Sequence, residues 1–122
     1  HNIPAELGKK EGAEVYNSKL NSDMVFDLVL LGLGEDGHTA SIFPNSEFDE
    51  SKQAVPISNA PKPPKNRVSL TPNRLSMADN VIFLVTGKDK KNALDKFKNS
   101  ENIPATRITG QKNIKVLISG VN

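Results

Sequence analysis

Apolar and polar residues follow two alternating patterns along this chain. Mostly apolar runs, typical of buried strands, occur at 25–31, 81–86 and 115–119. Elsewhere, apolar residues recur every three or four positions at 10–22 and 88–98, which predicts two amphipathic helices. Strands that alternate with helices indicate an α/β fold whose sheet is mostly parallel.

The middle of the chain predicts shorter elements. Residues 44–65 are rich in Pro, Lys, Ser and Asn, which indicates a long loop with at most a short strand at 54–57. A strand is predicted at 67–70, and Thr71 with the proline after it supplies the start of a short helix. We therefore expect one α/β domain over 1–122, with a mostly parallel Rossmann-like sheet and flanking helices.

Composition excludes several classes of function. The chain has 122 residues, a formal net charge of +2, 5% aromatic residues and no cysteine. Its lysines are dispersed and are not interleaved with aromatic residues, so we predict no nucleic-acid binding. The apolar runs 28–31 and 81–85 are far shorter than a membrane span, so no membrane association is expected. The absence of cysteine excludes disulfides and is compatible with a cytoplasmic protein.

The loop GLGEDG at 32–37 literally matches the G-x-G-x-x-G pattern of dinucleotide-binding sites. Two features oppose that interpretation. Glu35 and Asp36 place two carboxylates where a pyrophosphate would rest, and Pro44 follows too soon for the long helix that should hold the phosphates. We therefore expect no nucleotide cofactor.

The same loop is suited to presenting the histidine that follows it. It lies after a predicted buried strand, where open α/β sheets bind ligands. Asp36 and His38 are separated only by Gly37, so the carboxylate can orient the imidazole. An unperturbed imidazole titrates at about pH 6.5, which suits general-base catalysis at neutral pH. From the residues alone, a surface turn with an incidental histidine remains the alternative.

The stretch LLGLGEDGHTASIFP, at 30–44, resembles the signature of the 6-phosphogluconolactonase family. Three further segments resemble that family in the same order: PKPPKNRVSLT at 61–71, VIFLVTGKDKKNAL at 81–94 and NIPATRI at 102–108. The resemblance implies a three-layer α/β/α domain that hydrolyses a phosphorylated sugar lactone, with no metal or organic cofactor.

The resemblance also implies roles for individual residues near the loop. His38 would be the general base, and Asp36 would orient it or the substrate. The backbone N–H groups around Gly34 and Gly37 are candidates to stabilise the oxyanion. We interpret Thr39 and Ser41, together with the loop around them, as turn and packing residues, since no Ser-His-acid arrangement is recognisable.

Two cations are candidates for substrate binding. Lys90 matches the lysine of the family's G-x-x-K turn, which implies that it binds the substrate phosphate. Arg67 has a weaker claim as a substrate contact, because a plain arginine at a strand edge explains it equally well.

The related glucosamine-6-phosphate deaminases share the G-x-D-G-H loop, but their motif has a glutamate where this chain has Phe43. Phe43 favours the lactonase, because an apolar ring cannot exchange a proton with the histidine. A deaminase relative and a non-catalytic phosphosugar-binding fragment remain the alternatives.

Family members are close to twice as long, so we expect 1–122 to be the C-terminal half of a lactonase domain, completed by a missing N-terminal segment or a partner chain. Such a half should expose apolar sheet surface.

Overall fold

The computed structural model describes residues 1–122. The helices and strands, in chain order, are α1 (Lys9–Lys19), β1 (Phe26–Gly32), β2 (Ala54–Ile57), β3 (Arg67–Leu70), α2 (Pro72–Ser76), β4 (Ala78–Thr86), α3 (Lys91–Lys98) and β5 (Asn113–Ser119). Three short 3-10 turns lie at Ala5–Leu7, Lys88–Lys90 and Pro104–Arg107.

The strands form two separate sheets. The main sheet has the order β1-β4-β5 and is parallel throughout, with Val29 opposite Val81 and Phe83 opposite Val116. The predicted parallel α/β fold is therefore confirmed. The remaining strands, β2 and β3, pair antiparallel with each other and stand apart from that sheet. A short connection without a helix permits antiparallel pairing, whereas parallel strands need a longer crossover.

One face of the main sheet carries the principal core. Inward-facing residues of β1 and β4 pack with residues of α3 and of the loops beside it. Phe83 is 1% exposed and packs against Phe97, with their ring centroids 4.9 Å apart. Burying one such side chain stabilises the fold by roughly 1.5–3 kcal/mol.

The opposite face of the main sheet is uncovered. Leu28, Leu30, Leu84 and Leu117 are all exposed, Leu30 to 57%. This agrees with the apolar sheet surface expected from the sequence. None of the helices has the length and apolar character that a membrane span requires.

The helix predicted at 88–98 is divided in the structure. A 3-10 turn occupies Lys88–Lys90, and the α-helix begins only at Lys91. Gly87 precedes the turn with a φ of 98°, a conformation that favours glycine. Lys90 therefore lies directly before α3, whereas the sequence placed it in the helix's first turn.

Candidate active site

The loop that follows β1, at 33–43, is fixed to its surroundings by specific hydrogen bonds. The Thr39 hydroxyl donates to the Gly32 carbonyl at 2.8 Å, which ties the loop to the end of its own strand. The Ser41 N–H donates to the Ser69 hydroxyl of β3 at 3.2 Å. Thr39 and Ser41 are buried, in agreement with their interpretation as turn and packing residues.

Asp36 and His38 form a hydrogen-bonded pair within this loop. One carboxylate oxygen of Asp36, Oδ1, lies 2.6 Å from Nδ1 of His38 and also accepts the His38 backbone N–H at 3.0 Å. An ionised carboxylate can only accept a hydrogen bond, so Nδ1 carries the proton and Nε2 keeps its lone pair. The imidazole is 29% exposed, which leaves it reachable from solvent. This arrangement sets the tautomer of the imidazole and holds one edge of its ring.

The Asp36 carboxyl remains ionised through the neutral range. Partial burial alone would raise its pKa, but the hydrogen bonds from the His38 backbone and ring, with the charge of His38, outweigh burial and lower the pKa below its ordinary value. The acceptor that holds the imidazole is therefore retained at neutral pH.

Gly34 and Gly37 are in the loop for steric reasons. A Cβ atom on Gly34 would lie 2.0 Å from Nδ1 of His38, and one on Gly37 would lie 2.8 Å from Cβ of Ile103. Their N–H groups, which the sequence offered for an oxyanion, are already used: Gly34 donates to the His38 carbonyl at 2.8 Å and Gly37 to the Gly34 carbonyl at 3.0 Å. These two donors are thus occupied within the loop, and stabilisation of an oxyanion by the N–H groups around them stays a prediction.

His38 stands between two clefts. The first, of about 370 Å³, is lined by Asp36, His38, Phe43 and Arg67 together with the proline-rich loop at 61–63. In it, Phe43 packs against the imidazole with ring centroids 4.9 Å apart. We call this the Arg67 cleft.

The second cleft, of about 340 Å³, is lined by the backbone at the end of β1, by His38 and by Lys90. We call it the Lys90 cleft. Lys90 is the only lysine that lines it, and its ammonium lies 3.4 Å from the carboxylate of its neighbour Asp89. The structure thus brings the predicted phosphate-binding lysine and the predicted base to one cleft.

The two predicted cations differ in how their donors are used. Arg67 donates through Nε to the Pro64 carbonyl at 2.9 Å and through Nη2 to the Lys62 carbonyl at 2.8 Å. Lys90 has a single ion-pair partner, on the adjacent residue. Asp89 keeps its charge. Burial alone would raise its pKa, but the neighbouring Lys90 ammonium and hydrogen bonds outweigh burial, so the pKa is lowered.

The sequence did not predict that the segment at 102–108 supports the loop at 33–43. The Ala105 N–H donates to the Gly37 carbonyl at 3.0 Å, and Ile103 packs where a side chain at Gly37 would stand. The segment NIPATRI was noted only as a family resemblance, and no local pattern in it points to a partner so distant in sequence. The contact of Phe43 with the imidazole was also missed, because it depends on how the turn between residues 38 and 43 folds.

No three His, Cys, Asp or Glu side chains lie together as a metal site would require. The two clefts offer one imidazole oriented by the Asp36 carboxylate, a second carboxylate on Glu35, and the ammonium groups of Lys62 and Lys90.

Comparisons with known proteins agree with these features. A family model described as glucosamine-6-phosphate isomerases/6-phosphogluconolactonase matches residues 1–117. Human 6-phosphogluconolactonase is 45% identical over 96 residues, which cover 72% of this chain and 37% of the human protein. The bovine 6-phosphogluconolactonase is 39% identical over 117 residues, covering 87% of this chain and 45% of that protein.

The crystal structure of 6-phosphogluconolactonase from Thermotoga maritima superposes with a TM-score of 0.88 at 29% identity, covering 98% of this chain and 55% of that chain. The chain thus spans about half the length of the relatives it matches, and its assignment to the C-terminal half stays a prediction. The match over 117 of 122 residues is decisive for the family: the chain belongs to the glucosamine-6-phosphate isomerase/6-phosphogluconolactonase family.

Proposed function

We propose that these residues carry the catalytic loop of an enzyme that hydrolyses 6-phosphogluconolactone to 6-phosphogluconate, a step of the pentose phosphate pathway. The observation that carries the proposal is the Asp36–His38 pair, with its 2.6 Å hydrogen bond, at the junction of two clefts. The names of the similar proteins from human, cattle and Thermotoga support the same reaction.

His38 acts as the general base. Its Nε2 accepts a proton from water as the water oxygen attacks the lactone carbonyl carbon. The tetrahedral intermediate collapses, the bond from the carbonyl carbon to the ring oxygen breaks, and the imidazolium returns its proton to that oxygen. Asp36 holds Nδ1–H throughout, so the ring keeps the tautomer that this sequence of transfers needs.

Lys90 binds the phosphate of the substrate from the Lys90 cleft. The Lys90 side chain is 23% exposed, and its carboxylate partner is the exposed neighbouring Asp89. A phosphate dianion competes well for an ammonium held by one exposed carboxylate, because such surface ion pairs contribute only about 0–1 kcal/mol. The phosphate would then hold the lactone ring beside His38.

Phe43 favours lactone hydrolysis over deamination. In the deaminase-like motif a glutamate at this position assists opening of the sugar ring. Here the position holds a buried phenyl ring packed on the imidazole, and that ring cannot accept a proton. The other acid of this loop besides Asp36 is Glu35, which also lines the Arg67 cleft but lies within 3.9 Å of the Lys62 ammonium.

The decisive experiment follows hydrolysis of 6-phosphogluconolactone by the full-length protein and by its His38→Ala variant. General-base catalysis typically contributes about 10²–10⁴-fold, so kcat should fall by that factor. The matched control is His1→Ala, because His1 is the only other histidine and lies outside both clefts.

Three results would contradict the proposal. Undiminished turnover in His38→Ala would remove the base. Release of ammonia from glucosamine 6-phosphate would instead identify a deaminase. Binding of the phosphosugar without turnover would identify a non-catalytic binding protein.

A further inference from the structure

Arg67 lines the cleft beside His38, yet two of its three guanidinium nitrogens already donate to the chain itself. Nε and Nη2 donate to the carbonyls of Pro64 and Lys62, on the proline-rich loop. The guanidinium fork therefore closes this loop onto the start of β3. The side of the fork best suited to bind a phosphate or a carboxylate is occupied by the chain itself.

The guanidinium also begins a stack that ends at the imidazole. Its central carbon, Cζ, lies 5.4 Å from the ring centroid of Phe43, within the range of a cation–π contact. The Phe43 ring in turn lies 4.9 Å from the His38 ring, at an interplanar angle of 44°. Phe43 is 8% exposed, so little space is left for it to move independently of its two neighbours.

The other two arginines of the chain show the same arrangement at other loops. Arg74 lies over Phe26 at 4.2 Å and donates to the carbonyl of Met24 at 2.6 Å. Arg107 lies over Phe48 at 5.5 Å and donates to the carbonyl of Ser46 at 3.4 Å. Each arginine thus holds a loop by its carbonyls while packing on a phenyl ring. Only at Arg67 does that ring also contact the histidine.

We infer that Arg67 is a positioning residue that fixes the His38 imidazole through Phe43 and holds the proline-rich wall of the cleft. Asp36 sets the tautomer from one edge of the imidazole, and the Arg67–Phe43 pair limits its rotation from a face. The consequence for turnover rests on the proposed function. The consequence for the orientation of the imidazole does not.

The test compares Arg67→Lys and Phe43→Leu with the unaltered protein. Lysine keeps the positive charge but cannot hold two carbonyls while stacking flat on a ring. Leucine keeps an apolar side chain but removes the ring. Misplacing a catalytic group by about 1 Å can cost about 10²-fold, so each variant should lower kcat by about 10–100-fold and change KM by less than about 3-fold.

Proton NMR of the imidazoles gives a second measurement that needs no turnover. The chain has two histidines, so His1 serves as an internal reference for His38. The ring-current shift that Phe43 imposes on the His38 protons should vanish in Phe43→Leu and diminish in Arg67→Lys. The matched control is Arg107→Lys, which removes the same kind of loop contact beside Phe48 and should leave the His38 signals unchanged.

The outcomes separate the two claims. A rise in KM with unchanged kcat and unchanged His38 signals in Arg67→Lys would make Arg67 a direct substrate ligand and would overturn the inference. If the unaltered protein shows no turnover, the proposed function fails, and the NMR comparison still decides the positioning role. If Arg67→Lys does not fold, Arg67→Gln decides it, because unchanged His38 signals in that variant would also overturn the inference.

Discussion

The two clefts beside His38 contain one predicted substrate-binding cation each, but they use it in opposite ways. In the Arg67 cleft the guanidinium donates to two carbonyls and packs on Phe43. In the Lys90 cleft the ammonium has one exposed carboxylate partner at 3.4 Å. A cation in a cleft is therefore available to a ligand only when its donors are not already needed by the chain. This comparison favours Lys90 as the anchor for phosphate and Arg67 as part of the scaffold.

The largest effect on turnover is expected from a substitution next to His38, which lines both clefts. Gly34→Ala places a Cβ atom 2.0 Å from Nδ1 of His38 in the present geometry, so the imidazole must move. We expect kcat/KM for lactone hydrolysis to fall by about 10²-fold or more. Gly32→Ala is the matched control, because a Cβ there meets no atom within 4 Å, and it should have a much smaller effect. Equal losses in both variants would show that the imidazole position does not limit turnover.

A smaller effect, confined to binding, is expected from the Lys90 cleft. Lys90→Met removes a charged hydrogen bond worth about 1.5–3 kcal/mol, which corresponds to a rise in KM of about 10–100-fold with kcat less affected. Lys88→Met, two residues earlier and exposed, is the control. Steady-state kinetics with the phosphorylated lactone measure both. A change confined to kcat in Lys90→Met would reverse the roles assigned to the two clefts.

The smallest effect is expected from a change of pH. It concerns the Arg67 cleft, because Asp36 lines that cleft and does not line the Lys90 cleft. The pKa of Asp36 is lowered in the folded chain. The stabilisation it gives is therefore fully present above the unfolded value of about 3.9, and is lost as the pH falls through the folded value.

Urea unfolding of the unaltered protein and of Asp36→Asn, measured from pH 7 to pH 3, tests this dependence. The difference in the free energy of unfolding should be constant above about pH 5 and shrink below about pH 4. A difference that grew on acidification would mean that the carboxyl is destabilised by its surroundings.

Much of the main sheet could be predicted, because each of its strands is marked by the apolar residues of one short stretch of sequence. The predicted strands 25–31, 81–86 and 115–119 are each mostly apolar runs, and they correspond to β1, β4 and β5 with shifts at their ends. The boundary of α3 was less predictable. The apolar spacing of 88–98 is helical throughout, but Gly87 and the 3-10 turn delay the α-helix until Lys91.

The antiparallel pairing of β2 with β3 was not predicted either. Both strands were recognised as short segments at 54–57 and 67–70, with the bounds that the structure has. Their pairing depends on how the proline-rich loop between them folds back, and on the packing of α1 against them through Asn17, which bonds Gln53 and Ala54. These contacts join residues far apart in sequence.

The sequence by itself determined the Asp36–His38 pair, because two residues separated by one glycine can meet through the turn they form themselves. The tertiary structure decided which side chains surround that pair: Phe43 on the imidazole, Arg67 behind Phe43, and Lys90 across the second cleft. The physical reason is the range of the interactions. A hydrogen bond between near neighbours needs only local backbone geometry. The packing of three distant segments around one imidazole exists only after folding has brought the end of β1, the start of β3 and the end of β4 together.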